Sequence, residues 1–281
     1  MGARNDILYM NIQDSAKEIG FTSVGIVKCR TLNDELFHLK EWIGKNYNGE
    51  MKWLERDPSR RTDPAKVLDG CKTVIVSTLK FDDMPLRKNR SSSSSRLNRS
   101  SSAEALKRSN AETLKLPKYL QHEDYHKVVM EKLEALTEEI KKEYPNAKFK
   151  FYVDTGPVLE KAWGVKAGLG FIGKNTLLIS PEHGSQLAIG IILCSEHVEN
   201  QRTNLPAGRH GAPTCLPAGT AHQRTSCGSC TKCLDACPTK ALKAPYILDA
   251  RLCRSYKFFI EKADGGCDTC QDVCPFNKQE A

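Results

Sequence analysis

The chain has 281 residues, of which 40% are hydrophobic and 7% aromatic, so it can bury a full core and form one large domain plus a small one. Its net charge of +8 is concentrated in residues 87–115, whose eight Lys or Arg and two Glu leave only +2 for the rest. Global charge is therefore weak evidence for a nucleic-acid partner. Because no apolar run approaches the roughly 20 residues that span a bilayer and no signal peptide is visible, we expect a cytoplasmic protein without a membrane partner.

The N-terminal part alternates helix-like and strand-like patterns. Residues 5–20 predict an amphipathic helix that ends at Gly20, and residues 21–27 predict the strand that follows. A second helix is expected over residues 34–45, and a second strand over residues 72–79. These elements indicate a mixed α+β domain rather than a helical bundle or an all-β fold.

Residues 87–115 are serine-rich, basic and of low complexity, which predicts a flexible insertion that could at most contact phosphates non-specifically. A long helix is expected beyond it, because apolar residues recur at helical spacing at Val129, Leu133, Leu136 and Ile140. A strand is expected next, then a turn at Asp154 and a helix with Pro157 in its first turn. Two further strands, at residues 176–180 and 186–194, complete the domain.

An eleven-residue repeat fills residues 204–225, as NLPAGRHGAPT followed by CLPAGTAHQRT. Two short copies predict a Pro/Gly-rich linker rather than a solenoid. Cys215, His210 and His222 are interpreted as linker residues, since no metal-pair spacing surrounds them. The expected organisation is a first domain over residues 1–200, a linker over 201–225 and a second domain over 226–281.

Twelve cysteines are present, and eight of them lie between Cys227 and Cys274. In a chain without an export signal, such a group indicates metal binding rather than disulfides. Four of these cysteines, followed by a proline, reproduce the bacterial ferredoxin run C-x2-C-x2-C-x3-C-P: Cys227, Cys230, Cys233 and Cys237. Cys29, Cys71 and Cys194 are expected to be small buried side chains.

A second run has only the last three cysteines of this pattern, with Asp264 at the first position. In proteins with two such runs, the fourth cysteine of each ligates the other cluster. This rule predicts one [4Fe–4S] cluster held by Cys227, Cys230, Cys233 and Cys274. It predicts a second held by Cys237, Cys267, Cys270 and one further ligand.

The further ligand is expected to be Cys253, the only cysteine between the two runs. An oxygen ligand from Asp264, or a three-iron cluster with an open corner, is the alternative, although thiolate is the usual ligand. Zinc is a further alternative for both groups, but eight cysteines with two Cys-Pro ends favour two [4Fe–4S] clusters.

Residues 168–175, GLGFIGKN, formally match the dinucleotide fingerprint G-x-G-x-x-G. That fingerprint follows a strand and opens a helix, whereas these glycines follow a predicted helix and precede a predicted strand. The context excludes a dinucleotide site. The glycines permit a close approach of backbone to a flat or bulky group, and a tight helix-to-strand turn is the equally simple alternative.

Several long stretches of the chain are distinctive. They are VDTGPVLEKAWGVKAGLGFIGKNTLLISPEHGS, CGSCTKCLDACPTKAL, LDARLCRSY and CDTCQDVCPFN, together with GEMKWLERDPSRRTDPAKVLDGCKTVIV and DYHKV nearer the N-terminus. These stretches closely resemble the tRNA epoxyqueuosine reductases. The resemblance implies a cobalamin-binding mixed α/β domain followed by a ferredoxin-like domain with two [4Fe–4S] clusters, related to reductive dehalogenases. It also implies the last step of queuosine synthesis, the reduction of epoxyqueuosine at the tRNA wobble position.

The resemblance places Cys253 on the second cluster, in agreement with the spacing. Only thirteen residues separate Cys253 from Cys267, fewer than this family leads us to expect. Whether so short a connection delivers the thiolate is a question for the structure.

The resemblance further implies that Asp154 lies over the corrin and donates a proton to the departing oxygen. From pattern alone, an Asp at this place is more simply a turn or helix-cap residue. We expect Asp154 to face a largely apolar pocket, which would raise its pKa and suit it to general acid catalysis. The predicted contacts to cobalamin or its pocket are Tyr119, His126, Gly173, Lys174, Asn175 and Ser185.

The expected partners are a tRNA with a GUN anticodon that carries epoxyqueuosine and an electron donor that the sequence does not identify, with the protein itself a monomer. One alternative is another cobalamin reductase of dehalogenase type that acts on a small molecule. The other is a two-cluster electron-transfer protein without a substrate of its own, which would leave the block from Asp154 to Ser185 unexplained.

Overall fold

The computed structural model describes residues 11–87, 117–199, 226–263 and 266–277. The predicted insertion falls outside these ranges except for Arg87, and so does the predicted linker with its two histidines and one cysteine. Asp264, the alternative cluster ligand, also lies outside the described residues.

The described part of the chain contains short and medium helices around three small sheets. The helices are α1 (Ile12–Ile19), α2 (Asn33–Gly44), α3 (Pro58–Thr62), α4 (Lys118–Gln121), α5 (Tyr125–Glu143), α6 (Glu160–Lys166), α7 (Lys232–Ala236), α8 (Arg254–Phe259) and α9 (Thr269–Asp272). The strands are β1 (Ser23–Lys28), β2 (Thr73–Lys80), β3 (Phe149–Tyr152), β4 (Phe171–Ile172), β5 (Leu178–Ile179), β6 (Leu187–Cys194), β7 (Leu242–Ala244) and β8 (Ile247–Leu248). Within these ranges, no helix has both the length and the apolar character needed to cross a membrane. The predicted mixed α+β class is confirmed.

The main sheet has the strand order β1-β2-β6-β3, and each neighbouring pair is antiparallel. In the central ladder, Ile75 pairs with Ile192 and Val74 with Leu193. Alternate residues point to opposite faces, so the first pair packs under α1 and α5 while the second packs under α6. Helices thus cover both faces, which explains why β2 and β6 are nearly continuous apolar runs.

The long helix α5 supplies much of the core on one face of the sheet. Its four predicted core residues are fully buried: Val129, Leu133, Leu136 and Ile140. Burial of each such side chain stabilises the fold by about 1.5–3 kcal/mol. Helix α1 packs beside it and ends where predicted, because Gly20 takes a left-handed conformation with φ 89° and its N–H caps the carbonyl of Ala16.

The prediction of a helix with Pro157 in its first turn is wrong, because α6 begins at Glu160. The preceding segment is irregular: Asp154 has a left-handed φ of 57°. Gly156 lies so close to Tyr152 that an added Cβ would come within 2.4 Å of its ring. These two conformations carry the chain away from β3 before a helix can start.

The predicted strand over residues 176–180 is shorter than expected. It is reduced to β5, which pairs with β4 in a separate two-stranded sheet. Gly168 and Gly170 therefore lie between α6 and β4, Gly173 lies in the turn between β4 and β5, and none of them opens a helix. The exclusion of a dinucleotide fingerprint agrees with this arrangement.

The cysteine-rich segment from residue 226 onward packs directly on the first domain. Trp42 Nε1 donates a hydrogen bond to Leu248 O at 2.6 Å. The backbone N–H of Glu50 donates to Tyr256 Oη at 2.7 Å. Because these contacts join positions more than 200 residues apart in sequence, they are tertiary contacts that fix the cysteine groups relative to the main sheet.

Candidate functional site

One cavity is lined by the four cysteines predicted for the first cluster, which are Cys227, Cys230, Cys233 and Cys274. The cavity has about 430 Å³ of empty space, part of it open to solvent. Lys174, Asn175, Ile179 and Phe276 form part of its wall. The fold therefore brings a cysteine of the second run to the first three of the first run, as the exchange rule predicts.

The loop that carries Cys227 is held by the turn at Lys174. The Lys174 N–H donates to Cys227 Sγ at 3.4 Å, and Lys174 Nζ donates to Gly228 O at 2.8 Å. The N–H of Cys230 donates to Cys227 O at 3.0 Å, which closes the loop before α7 begins. An N–H directed at sulfur stabilises the thiolate form that a cluster requires.

A second group of cysteines lies next to the first. Cys237, Cys253 and Cys270 pack in one apolar cluster with leucines of α7, of the β7–β8 hairpin and of the turn before α8, and Cys233 of the first group borders the same cluster. Cys267 lies close enough to act electrostatically on Cys270. The short connection between Cys253 and Cys267 thus allows both thiols to reach the same place.

The thiols of the second group have contrasting environments. Burial, and next the neighbouring thiols of Cys267 and Cys253, raise the pKa of Cys270 to about 12. Burial acts in the same direction on Cys237, but backbone N–H groups, with that of Leu242 foremost, lower its pKa overall. Gathered thiols that resist ionisation need a nearby positive charge, and the irons of a cluster provide it.

The spacing of the two groups also bears on the identity of the metal. Among the described residues, no three His, Cys, Asp or Glu side chains are close enough to hold a single metal ion. A single zinc needs four ligands at about 2.0–2.3 Å from one centre, whereas a cubane binds each thiolate at a different iron. The residues present therefore fit [4Fe–4S] clusters better than zinc.

A separate polar group surrounds Asp154 at the end of β3. The backbone N–H of Asp154 donates to Glu160 Oε1 at 2.7 Å. Glu160 is only 8% exposed, and burial, followed by the nearby charge of Asp154, raises its pKa well above its ordinary value. Burial and the neighbouring Asp154 therefore both favour the protonated form of Glu160.

Two residues of α5 face the same aspartate. Tyr125 Oη donates a hydrogen bond to Asp154 Oδ2, and His126 Nε2 lies 4.0 Å from the same oxygen. The rings of Tyr125 and His126 stack with centroids 4.1 Å apart. Burial, and next the charge of Asp154, raise the pKa of Tyr125 above its usual range, so the phenol stays a donor.

The expected apolar pocket around Asp154 is not what the structure shows. The Asp154 side chain is 54% exposed, and its described neighbours are the polar groups of Tyr125, His126 and Glu160. The cause is the left-handed conformation of Asp154, which turns the chain outward at the end of β3. Asp154 is thus accessible to a large substrate or cofactor.

The other predicted contact residues are divided between two places. His126 lies at Asp154, whereas the rest approach the cysteine-rich segment. Asn175 Nδ2 donates to Cys270 O at 3.4 Å, and the N–H of Ser185 donates to the side chain of Asn277 at 2.6 Å. Gly173 sits tightly against Ile179, where an added Cβ would come within 2.4 Å.

Tyr119 also lies at the cysteine-rich segment. Burial raises the pKa of its hydroxyl, and a hydrogen-bonding interaction with Ser255 acts in the opposite direction. The side chains of Asn175 and Ser185 likewise have protein partners.

Sequence reasoning missed Tyr125 and Glu160. Both stand inside the quoted motifs, DYHKV and VDTGPVLEK. Glu160 follows Asp154 by six residues. This separation is too long for a local turn contact, and it does not match the three- or four-residue spacing of neighbours on a helix. The available signal was the placement of an acid in an apolar segment next to Trp163, which is fully buried.

Two family models match the chain. Residues 61–155 match the model described as "Epoxyqueuosine reductase QueG, DUF1730". Residues 226–277 match "4Fe-4S double cluster binding domain". The second match covers all eight cysteines of the two groups.

Curated relatives match over nearly the whole chain. The epoxyqueuosine reductase of Cellulophaga algicola is 34% identical over 286 residues, which cover 95% of this chain and 78% of the relative. That of Pseudomonas aeruginosa is 34% identical over 284 residues, with 96% and 69% covered.

Solved structures agree with these relatives. Epoxyqueuosine reductase from Streptococcus thermophilus superposes with a TM-score of 0.69 at 28% identity and covers 96% of this chain. An epoxyqueuosine reductase with an epoxyqueuosine-modified tRNA-Tyr stem loop gives a TM-score of 0.66 at 27% identity. This chain spans 66% and 64% of those two chains, respectively. On the combined evidence of its two motif regions and its relatives, this chain belongs to the epoxyqueuosine reductase family.

Proposed function

We propose that this chain reduces epoxyqueuosine to queuosine in tRNA. The reaction removes the epoxide oxygen as water and leaves an alkene, which requires two electrons and two protons. The observation that carries the proposal is the combination, in one chain, of two four-cysteine groups with an accessible Asp154 on the adjoining domain. Relatives of 34% identity that bear this activity's name support it.

We propose the cluster ligands that the spacing predicted. One [4Fe–4S] cluster would be held by Cys227, Cys230, Cys233 and Cys274, and the other by Cys237, Cys253, Cys267 and Cys270. The match to a double cluster domain supports two clusters. The cavity lined by Cys227, Cys230, Cys233 and Cys274 supports the first ligand set, and the closeness of Cys253 and Cys267 to Cys270 supports the second. Clusters of this kind pass single electrons, which a two-electron reduction must take in sequence.

We propose cobalamin as the further cofactor, bound against the face that carries Asp154. When bound, it would supply the low-valent cobalt chemistry that can open a strained ring. The open, polar surface at His126 fits a large bound group. Tyr119, Gly173, Lys174, Asn175 and Ser185 would contribute from the side of the cysteine-rich segment.

Asp154 is the proposed proton donor to the departing oxygen. Its carboxyl is accessible and accepts a hydrogen bond from Tyr125 Oη, while Glu160 accepts one from the Asp154 backbone N–H. A carboxyl group is a competent general acid when it is held within hydrogen-bond reach of the oxygen.

The proposed substrate is a tRNA with a GUN anticodon that carries epoxyqueuosine. The tRNA stem loop present in a solved relative supports this class. We propose further that the protein acts as a monomer in the cytoplasm and takes electrons from a separate donor protein.

Mass analysis of tRNA nucleosides tests the function in cells. A strain that lacks its own reductase accumulates epoxyqueuosine, and expression of this chain is expected to convert it to queuosine. The proposal would be overturned if epoxyqueuosine persists in the tRNA although the chain purified from the same cells contains its iron. Anaerobic reconstitution separates the rivals: an electron-transfer protein would show no corrin absorption band, and a small-molecule reductase would show the band but leave the tRNA unchanged.

A further inference from the structure

Asp154 has a backbone conformation that is uncommon for residues other than glycine. Its φ of 57° lies in the left-handed region, which is unfavourable for residues with a Cβ. Such residues persist only where the surroundings fix them. The residue that fixes the backbone here is Glu160, whose Oε1 accepts the Asp154 N–H at 2.7 Å.

Glu160 is a buried acid with a raised pKa. It is 8% exposed, and its pKa is raised by burial and by the charge of Asp154. The charged or titratable groups that face it are Asp154, Tyr125 and Lys161. Lys161 does not neutralise it, because Lys161 Nζ donates instead to Thr176 O at 2.9 Å.

Glu160 Oε1 accepts the Asp154 N–H. A proton on the Glu160 carboxyl, which burial and the neighbouring Asp154 favour, would supply a donor for the Asp154 carboxyl. An ionised Glu160 would lack this donor and would place a second negative charge beside Asp154. Both effects would disturb the carboxyl that accepts a hydrogen bond from Tyr125.

We propose that Glu160 is a positioning residue that holds the Asp154 loop and thereby aims the Asp154 carboxyl. The inference rests on the proposed role of Asp154 as proton donor and deepens it. Glu160 itself does not touch the substrate. It acts through the backbone and the carboxyl of Asp154.

Two variants separate positioning from other roles. Glu160→Gln keeps an oxygen acceptor and an N–H donor in the same places, so it imitates the neutral acid. Glu160→Ala removes both. We expect Glu160→Gln to stay within about threefold of wild type in kcat, and Glu160→Ala to lose about 10- to 100-fold in kcat with KM for tRNA nearly unchanged, because a misplaced catalytic group costs rate.

Amide hydrogen exchange tests the inference without any activity. In wild type and Glu160→Gln, the Asp154 N–H is expected to exchange slowly. In Glu160→Ala it should exchange at least about tenfold faster, since its buried acceptor is gone. Equal exchange in all three proteins would overturn the positioning role, even if Asp154 is catalytic.

The same variants keep the two proposals distinguishable. If Glu160→Ala loosens the Asp154 N–H but the tRNA reaction proceeds equally in wild type and Asp154→Ala, positioning stands and the role of Asp154 in the reaction fails. If Glu160→Gln loses as much rate as Glu160→Ala while the Asp154 N–H still exchanges slowly, holding the loop does not set the rate, and the positioning role is wrong. Iron content, measured for each variant, shows whether the cysteine groups remain intact.

Discussion

Ser185 and Asn277 hold the two domains together through a pair of complementary hydrogen bonds. The Ser185 N–H donates to Asn277 Oδ1 at 2.6 Å, and Asn277 Nδ2 donates to Ser185 Oγ at 3.0 Å. Asn277 Nδ2 also donates to Gln271 O at 2.8 Å. Ser185 was predicted as a cofactor contact, and the structure gives its side chain a protein partner that anchors the end of the cysteine-rich segment.

Removal of the Asn277 side chain is expected to loosen this anchor. Asn277→Ala leaves the buried Ser185 N–H without its acceptor, which should lower the free energy of unfolding by about 1–3 kcal/mol. Urea unfolding followed by circular dichroism measures the change. Glu182→Ala is the control, because that side chain is 82% exposed in the same loop, and it should stay within about 0.5 kcal/mol of wild type. Equal stability of the two variants would contradict the anchor.

Replacement of Cys253 tests the short connection to the second cluster. Cys253→Ser removes a thiolate from the group that contains Cys237 and Cys270. Iron content is expected to fall from about eight to about four atoms per chain, because one [4Fe–4S] cluster loses a ligand. Cys71→Ser, which alters a half-buried cysteine outside both groups, should leave iron unchanged. Full iron content in Cys253→Ser would show that another residue supplies the ligand.

Loss of the Tyr125 hydroxyl should slow the reaction without unfolding the protein. Tyr125→Phe removes a donor to Asp154 Oδ2, and a hydrogen bond to a charged group contributes about 1.5–3 kcal/mol. We expect kcat for epoxyqueuosine reduction to fall by about one to two orders of magnitude, as that energy implies. Tyr246→Phe is the matched control, since Tyr246 is 52% exposed. An unchanged kcat in Tyr125→Phe would show that the Tyr125 hydroxyl does not contribute to the reaction.

Glu160 should make stability depend on pH in a defined direction. Its pKa in the folded protein is raised above its ordinary value of 4.5, so the folded chain keeps a proton that the unfolded chain loses. Its contribution to stability is therefore full below pH 4.5 and is lost as pH rises toward the folded pKa. Glu160→Gln does not titrate, so its stability relative to wild type should rise as pH increases above 4.5. A difference that stays constant across this range would show that Glu160 is ionised in the fold.

Much of the fold was predictable because the signals were local. The buried face of α5 followed from residues at helical spacing, and the end of α1 followed from Gly20. The cysteine groups were predictable from spacing plus the exchange rule, although only the structure places Cys253 beside Cys270. The shortened β5 and the delayed start of α6 were not predictable. The left-handed φ of Asp154 and the close approach of Gly156 to Tyr152, which delay α6, have no signal in the sequence pattern.

The site at Asp154 was only partly predictable. The motif identified Asp154, but its partners Tyr125 and Glu160 come from other elements, and no periodicity connects them. Asn175 and Ser185 were expected at the cofactor because they are polar residues near conspicuous glycines. Their hydrogen bonds to the cysteine-rich segment depend on how the two domains pack, which a linear pattern does not contain.

The central claim is tested most directly by epoxyqueuosine reduction with purified protein. The chain, reconstituted anaerobically with iron, sulfide and cobalamin and supplied with a chemical reductant, is incubated with tRNA that carries epoxyqueuosine. Wild type is expected to convert the modified base to queuosine, and Asp154→Ala, with the same iron and corrin content, is expected to be slower by about 100-fold or more. Unconverted epoxyqueuosine with fully loaded wild-type protein would contradict the account, and an equal rate in Asp154→Ala would contradict its proton donor.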